Sequence, residues 1–216
     1  MFTGIIEAVG HIAAMEPRGG DMRLRVRTGK LDLGDVALGD SIATNGVCLT
    51  VIDLPGDGYW ADVSGETLNC TTLGDLRPGA RVNLEKAMTP STRLGGHLVS
   101  GHVDGVGEVV ERAADGRSER FRLKAPEGLA RYIAAKGSIC VDGVSLTVNA
   151  VDGAHFELNI VPHTLAETTI DQFQAGSRVN LEVDVIARYL ERLLQGASGD
   201  EPGGLTMEFL ARHGFA

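Results

Sequence analysis

One block of eleven residues occurs twice in this chain. Residues 41–51 read SIATNGVCLTV, and residues 138–148 read SICVDGVSLTV. Two other segments recur: the glycines of TGIIEAVG return in SGHVDGVG, and GARVNLE at 79–85 returns as GSRVNLE at 176–182. All three repeats have the same spacing of 97 residues. A constant spacing over separated segments indicates duplication of a whole domain, so the sequence predicts two similar halves of about one hundred residues each.

The repeated block has the pattern of a β-hairpin. An Asx-Gly pair, Asn45-Gly46 or Asp142-Gly143, supplies the positive φ angles of a tight turn, and the residues after it alternate as in a half-buried strand. We expect the aliphatic residues to fill a core and the small polar residues to face outward, where a ligand can meet them. The aliphatic face comprises Val47, Leu49 and Val51, with Val144, Leu146 and Val148 in the second copy; the polar face comprises Cys48, Thr50, Ser145 and Thr147.

The rest of each half predicts a mainly β fold. Short alternating stretches separated by Gly, Pro, Asp and Asn indicate an antiparallel domain, and closure into a small barrel would remove its exposed edges. We therefore predict two tandem barrels, at 1–97 and 98–184, followed by a terminal region at 185–216. In the first half the predicted strands lie at 22–26, 41–52, 59–63 and 80–84. Residues 86–96 form the linker between the halves, and residues 127–135 form one short helix.

The hydrophobic period changes after the second half. Apolar residues recur at helical spacing in DVIARYLERLLQ and predict an amphipathic helix. Because two complete barrels precede it, we expect its apolar stripe to associate subunits. The alternative is that it packs across its own barrels. Residues 196–204 predict a flexible tether, and residues 205–213 predict a last short helix.

Composition excludes several classes of function. Lys+Arg 20 against Asp+Glu 29 gives a formal net charge of −9, which does not fit a general nucleic-acid binder. No stretch approaches the ~18 apolar residues of a membrane span. The three cysteines have no paired spacing and the start, MFTGII, does not resemble a secretory signal, so we expect a cytoplasmic protein.

Neither a metal nor a dinucleotide site is predicted. His97 and His102 are five residues apart, which places them on opposite faces of a strand and far apart on a helix. The glycine-rich run GHVDGVG leads into a strand, so it lacks the helix N-terminus that would hold a dinucleotide phosphate.

Two positions that differ between the halves are candidates for chemistry. Cys48 is replaced by Ser145 in the second copy, so both halves keep a small side chain with a donor or acceptor group. His102 takes the place of Ile5, and only the histidine can move a proton near neutral pH. The alternatives are a buried, inert Cys48 and a structural hydrogen bond at His102.

A family resemblance rests on these motifs together. MFTGII, NGVCLTV, GGHLVSGHVDG, DGVSLTV, VPHTL and RVNLE with a terminal helix resemble, in this order, the riboflavin synthases of the trimeric, duplicated-barrel type. The resemblance covers nearly the whole chain. It implies six-stranded Greek-key barrels, a homotrimer and lumazine synthase as an associated protein. The departure from the family is at Val63-Ser64-Gly65-Glu66-Thr67, where the family often has a larger residue and a proline.

The resemblance implies a reaction that needs no cofactor. Two molecules of 6,7-dimethyl-8-ribityllumazine react by transfer of a four-carbon unit, giving riboflavin and 5-amino-6-(D-ribitylamino)uracil. In the family each barrel binds one lumazine, and the N-terminal barrel of one subunit faces the C-terminal barrel of a neighbour. By this resemblance the catalytic residues are Cys48, His102, Ser145 and Asp184.

The family's binding residues fall into two sets. The N-terminal pocket would use Gly4, Ile5, Ile6, Cys48, Leu49, Thr50, Asp62, Val63, Ser64, Gly65, Glu66 and Thr67. The C-terminal pocket would use Gly101, His102, Val103, Lys136, Ser145, Leu146, Thr147, Val161, Pro162, His163, Thr164, Leu165 and Ala166.

One alternative function remains open at this point, and a second is disfavoured. The same duplicated barrel is similar to the lumazine and flavin proteins of luminous bacteria, which bind a chromophore without chemistry. A flavin reductase would need an additional nicotinamide-binding domain, for which this chain has no room.

Overall fold

Each half of the chain forms six antiparallel strands with the same spacing of elements. The computed structural model describes residues 1–197. The first half contains β1 (Ala8–Arg18), β2 (Asp21–Arg27), β3 (Ser41–Thr44), β4 (Val47–Thr50), β5 (Gly58–Val63), helix α1 (Gly65–Cys70), a 3-10 turn (Thr72–Asp75) and β6 (Arg81–Lys86). The second half contains β7 (Gly105–Asp115), β8 (Ser118–Lys124), a 3-10 helix (Glu127–Tyr132), β9 (Ser138–Val141), β10 (Val144–Asp152), β11 (His155–Ile160), helix α2 (Pro162–Glu167), a 3-10 turn (Thr169–Gln172) and β12 (Arg178–Val183). Helix α3 (Val185–Ala197) follows.

Both sheets have the same strand order, but only the second closes completely. The C-terminal barrel runs β10-β11-β8-β7-β12-β9 and is closed, whereas the first sheet runs β4-β3-β6-β1-β2-β5. Its outer strands meet at a single bridge between Asp53 and Trp60. In the second half, pairing of β10 with β11 continues to Asp152. The equivalent position in the first half is Pro55, which has no N–H for the ladder. The predicted mainly β fold of two tandem barrels is confirmed, and the closure of the first is less complete.

The predicted Asx-Gly hairpins form in both halves. Asn45 and Asp142 have φ angles of 46° and 44°, and the glycines after them have 78° and 84°. These values fit a two-residue turn with positive φ at both positions. The aliphatic face of each following strand points into its own core, although Leu146 is only half-buried. Thr50 and Thr147, on the opposite face, are exposed.

Two separate hydrophobic cores support the barrels. The N-terminal core includes fully buried Leu24, Ile42 and Tyr59, and the C-terminal core includes Phe121 and Phe156. A third, small cluster of Phe2, Ala43, Val99 and Cys140 lies between them. The two barrels are therefore joined by packed apolar side chains.

Three details differ from the sequence predictions. The helix predicted at 127–135 is a shorter 3-10 helix, Glu127–Tyr132, and Lys136 before β9 has a φ of 67°. Lys86 belongs to β6, so the linker begins one residue later than predicted. Helix α3 continues to Ala197 and so includes Gly196, where the tether was predicted to start. The helix predicted at 205–213 lies outside the described residues.

The terminal helix belongs to a second compact unit. The first unit comprises Met1–Val185 and holds both barrels; the second begins at Ile186. On the helix itself, apolar side chains are more than half exposed: Ile186, Tyr189, Leu190, Leu193 and Leu194. The predicted amphipathic helix is therefore formed, and its apolar side chains are exposed. Among residues 1–197, no helix is both long and apolar enough to cross a membrane.

Candidate active site

The first segments of the two halves pair with each other. The N–H of Phe2 donates to the carbonyl of Val99 at 2.7 Å, and the N–H of Val99 donates to the carbonyl of Phe2 at 3.0 Å. These residues have equivalent positions in the repeat, so an approximate twofold axis passes between them. We call this region, formed by residues 1–6 and 97–103 with strands β4 and β10, the barrel junction.

A buried glutamate fixes each of these segments. Glu85 accepts hydrogen bonds from the N–H and hydroxyl of Thr3, both at 2.6 Å, and from the N–H of Gly4 at 2.9 Å. In the second half, Glu182 accepts from the N–H and hydroxyl of Ser100 at 2.6 and 2.8 Å, and from the N–H of Gly101 at 3.0 Å. The pKa of both carboxyl groups is raised above its usual value, because the effect of burial is larger than the opposite effect of these hydrogen bonds. In the sequence these glutamates marked only the repeat, and their shared position at the end of VNLE was the signal for this role.

The fixed segments cross to the other barrel. The N–H of Ser145 donates to the carbonyl of Gly4 at 2.8 Å, and the N–H of Cys48 donates to the carbonyl of Gly101 at 2.9 Å. A Cβ atom on Gly4 would lie 2.6 Å from Cβ of Ser145, and one on Gly101 would lie 2.7 Å from Cβ of Cys48. Glycine is therefore required for the contact as well as for the positive φ at both positions. Cys48 and Ser145 are consequently half-buried at the junction rather than open to solvent as expected.

The crossing changes which predicted residues lie together. Ile6 packs against the core of the C-terminal barrel, and Val103 packs against the core of the N-terminal barrel. The pockets implied by the family resemblance group residues 4–6 with Cys48 and residues 101–103 with Ser145. In the structure, residues 4–6 lie at Ser145 and residues 101–103 lie at Cys48. Comparison of the two halves aligns a residue with its own copy and does not reveal the residue across the axis.

His102 and Ile5 occupy equivalent exposed positions next to these contacts. The N–H of His102 donates to the hydroxyl of Ser100, and the N–H of Ile5 donates to the hydroxyl of Thr3, both at 3.2 Å. Both side chains are exposed. The imidazole therefore belongs to the half-site of Cys48, and the isoleucine to the half-site of Ser145.

His97 contacts Ser145 directly and was not predicted as a site residue. Its Nδ1 lies 2.7 Å from Oγ of Ser145, and its side chain is buried. Burial lowers the pKa of this histidine, and the negative charge of Asp184 raises it. Asp184 follows β12 and is half-buried, and His97 is one neighbour that its charge influences. In the sequence, His97 stood out only as a possible metal ligand, because the partner serine is 48 residues away.

The loops after β5 and β11 lead into the short helices α1 and α2. Ser64 caps α1 by accepting a hydrogen bond from the N–H of Thr67 at 3.2 Å. Asp62 pairs with Arg23 at 2.8 Å, and this contact lowers the pKa of the carboxyl group. Its charge is thus already engaged. Val63 is buried. The other predicted residues of these loops are exposed or half-buried: Gly65, Glu66, Val161, Pro162, His163, Thr164, Leu165 and Ala166.

Lys136 lies beside the polar face of β10. Its N–H donates to the carbonyl of Val148 at 2.7 Å, one residue after exposed Thr147. The side chain is exposed and available to a ligand. In the N-terminal barrel, Leu49 is part of the core and Thr50 is exposed next to it.

A network of amides closes the opposite side of the axis. Nδ2 of Asn83 donates to the carbonyl of Asp142 at 2.9 Å, and Nδ2 of Asn180 donates to the carbonyl of Asn45 at 2.8 Å. Burial raises the pKa of Asp142 to about 7. These bonds hold the two turns of the repeated block against each other.

Cavity size does not identify the site. A cavity of about 710 Å³ lies at the N-terminal barrel and is lined by Arg27, Leu31 and Asp57, among others, but by none of the predicted residues. A cavity of about 490 Å³ is lined by Thr3, Ile5 and residues of the linker, and so borders the junction. The polar groups of the two half-sites converge at the barrel junction, which makes it the candidate site. Within residues 1–197, no group of three or more metal-ligating side chains is present.

Comparison with known proteins matches this duplicated arrangement. Residues 3–87 and 100–184 each match the lumazine binding domain family. Riboflavin synthase from Photobacterium phosphoreum is 54% identical over 216 residues, which is 100% of this chain and 99% of that protein. Riboflavin synthase from Bacillus subtilis is 43% identical over 216 residues, which is 100% of this chain and 100% of that protein. The crystal structure of LumP complexed with 6,7-dimethyl-8-(1'-D-ribityl) lumazine has a TM-score of 0.76 and 26% identity, covering 85% of this chain and 99% of that one.

Proposed function

The chain belongs to the riboflavin synthase family, and we propose from this membership how its residues divide the reaction between two half-sites. It is a transferase of riboflavin biosynthesis. Two molecules of 6,7-dimethyl-8-ribityllumazine undergo dismutation: a four-carbon unit leaves one molecule and joins the other. The products are riboflavin and 5-amino-6-(D-ribitylamino)uracil. One substrate loses the four carbons that the other gains, so the proposed reaction needs no cofactor.

The observation that carries the proposal is the repeated half-site at the junction. In each half a small polar residue on a hairpin strand meets a glycine from the opposite segment, Gly101 at Cys48 and Gly4 at Ser145. Two molecules of the same substrate can therefore each occupy one of two similar half-sites. Holding two rings in a fixed relation replaces an encounter in solution and lowers the entropic part of the barrier. We propose binding domains at 1–97 and 98–184.

The half-site at Cys48 would supply the proton-transfer group. The 7-methyl group of the lumazine is acidic because its anion delocalises into the ring, so a modest base is sufficient to remove a proton. His102 is exposed beside this half-site and has no equivalent at Ile5. We assign it to proton transfer, with Cys48 stabilising the attacked ring.

The half-site at Ser145 would supply fixed polar contacts. Its hydroxyl is placed to stabilise charge that develops on the ring, and Thr147 and Lys136 are exposed near it for the ribityl chain or ring oxygens. Asp184 acts on this side through His97. The loop residues at 62–67 and 161–166 would close the two pockets.

Assembly is the second part of the proposal. The exposed apolar residues of α3 fit an interface between subunits, because a monomer rarely leaves a contiguous apolar face in water. We propose a homotrimer in which the N-terminal half-site of one subunit faces the C-terminal half-site of its neighbour. Association with lumazine synthase and a cytoplasmic location complete the proposal.

A binding protein without catalysis is the alternative function. It is favoured by the similarity to LumP in complex with a lumazine. The two functions predict different behaviour of the purified protein: a binding protein retains a tightly bound chromophore, whereas the enzyme turns over added lumazine.

The decisive experiment is a turnover assay on 6,7-dimethyl-8-ribityllumazine alone. The purified chain, with no metal, nucleotide or flavin added, is expected to form one riboflavin from two lumazines. His102→Gln and Ser145→Ala are each expected to lower kcat by about 10²-fold, the usual contribution of a group that transfers a proton or stabilises charge. Formation of riboflavin only with an added nicotinamide or metal contradicts the assignment, as does tight binding without turnover. Near-normal kcat in both variants contradicts the residue roles.

A further inference from the structure

The side chain of His97 contacts the half-site of Ser145. Its N–H donates to the carbonyl of Thr3 at 3.1 Å, so the backbone is anchored on the N-terminal segment. Its ring reaches in the other direction, to Oγ of Ser145 at 2.7 Å. A Cβ atom on neighbouring Gly96 would lie 2.7 Å from Cβ of Ser145, so this part of the linker is packed closely on β10.

The ring is enclosed and incompletely paired. The residue is 8% exposed, and no hydrogen-bond partner of its Nε2 is found among the described residues. A buried polar atom without a hydrogen-bond partner is unfavourable and rare in folded proteins. The contact with Ser145 on the other side of the ring accounts for it, because the ring cannot turn to pair Nε2 without losing that contact.

The unpaired nitrogen also indicates the tautomer. Burial lowers the pKa of His97, so the ring is neutral near pH 7 and carries one N–H. An unpaired buried N–H is rarer in proteins than an acceptor with a free lone pair. The favoured form therefore has the proton on Nδ1, which donates to Oγ of Ser145. The serine hydroxyl hydrogen is then free to point toward a ligand.

We propose that His97 is a positioning residue that orients the Ser145 hydroxyl as a hydrogen-bond donor to the bound lumazine. The inference rests on the proposed function, because it assigns a role within that same half-site. The equivalent residue Cys48 carries a thiol, which is a weaker hydrogen-bond donor than a hydroxyl group. The orienting ring therefore makes the two half-sites chemically different although they hold the same molecule.

A double-mutant cycle tests the coupling between the two residues. His97→Phe keeps an aromatic ring but removes the hydrogen bond, and we expect it to lower kcat about tenfold, the rate equivalent of one hydrogen bond, with a smaller change in KM. In the Ser145→Ala background the same change is expected to lower kcat less than about twofold. His97→Asn, whose amide can still donate to the serine, is expected to recover part of the loss. The matched control is His11→Phe, on an exposed position of β1.

Equal effects of His97→Phe in both backgrounds overturn the proposal, because they show an effect independent of Ser145. A loss of activity that follows loss of thermal stability in all His97 variants overturns it as well.

A second measurement uses the unmodified protein without substrate. Nitrogen-15 NMR of the histidine rings is expected to show His97 protonated at Nδ1 and not at Nε2, and Ser145→Ala is expected to shift the Nδ1 signal. The opposite tautomer, or no response to Ser145→Ala, overturns the proposal. This readout does not depend on turnover, so it distinguishes failure of the inference from failure of the proposed reaction in the wild-type assay.

Discussion

A single atom distinguishes the two buried turns of the repeat. Oδ1 of Asn45 accepts from the N–H of Asn83 at 2.8 Å, and Oδ1 of Asp142 accepts from the N–H of Asn180 at 2.7 Å. The remaining side-chain atom is an amide nitrogen in the first turn and a carboxyl oxygen in the second. A carboxyl group in a buried turn is disfavoured in its charged form, which is why the pKa of Asp142 rises to about 7.

This difference predicts a pH dependence of stability. The pKa of Asp142 is 3.8 in its usual state and about 7 in the folded protein, so the folded state resists its ionisation. The contribution of Asp142 to stability should therefore be fully present below about pH 4 and be lost as the pH rises through about 7, by at most about 4 kcal/mol. Asp142→Asn should remove this loss. Urea unfolding of both proteins from pH 4 to 8 measures it.

The reciprocal variant provides the control for this prediction. Asn45→Asp places a carboxyl group in the equivalent turn and should add a similar loss of stability above about pH 7. A constant difference between wild type and Asp142→Asn across the pH range would show that burial does not disfavour the charge.

At the scale of elements, the crossing segments connect folding to the site. Each segment is held by a buried glutamate of its own barrel and contacts a strand of the other, so both barrels must be formed before either half-site is complete. His97, directly after the linker, adds a third contact through its hydrogen bond to Ser145. This arrangement explains why residues at the half-sites are distant in sequence.

The close approach of Gly101 to β4 predicts a specific cost of substitution. Gly101→Ala adds a Cβ atom 2.7 Å from Cβ of Cys48, so the strand or the segment must move. The comparison is Gly116→Ala, which also has a positive φ but has nothing within 4 Å of the added atom. We expect Gly101→Ala to lower the free energy of unfolding by about 1–3 kcal/mol more than Gly116→Ala, and to lower kcat by displacing His102.

Denaturant unfolding and turnover of the two variants test this expectation. Equal losses of stability would mean that only the backbone conformation is costly and that the junction tolerates a methyl group.

At the scale of the whole molecule, assembly decides whether half-sites meet. Helix α3 carries its apolar residues on an exposed face, and the two barrels of Met1–Val185 form one compact unit before it. If opposed half-sites come from different subunits, removal of helix α3 should abolish activity while the barrels remain folded.

A chain that ends at Val185 tests assembly, because it keeps Asp184 and both half-sites. We expect this truncated protein to sediment as a monomer and to lose at least about 10²-fold in kcat, since the paired substrates are no longer positioned. Leu190→Glu in the full chain should act in the same direction, whereas Arg192→Gln, a polar position on the same helix, should leave the trimer intact. A monomer with full activity would show that one chain contains a complete site.

Much of the architecture could be predicted from local patterns. The repeat spacing, the Asx-Gly turns and the alternation after them depend on backbone preferences and side-chain size, which each residue carries by itself. The helical spacing after Asp184 predicted α3 for the same reason. The predicted helix at 127–135 was too long because local signals at Pro126 and Gly137 do not fix whether the intervening turns are 3-10 or α.

The half-sites depended on contacts that only the tertiary structure decides. An offset of 97 residues aligns Cys48 with Ser145, but it does not show that Gly101 lies on the first and Gly4 on the second. The pairing of His97 with Ser145 and the raised pKa of Asp142 depend on what encloses each side chain, and the enclosing groups come from the other half of the chain. Sequence therefore determined the two barrels and their small polar positions, because these follow from local geometry. The approach of the barrels decided which polar groups meet, because burial and hydrogen bonding depend on distance in space.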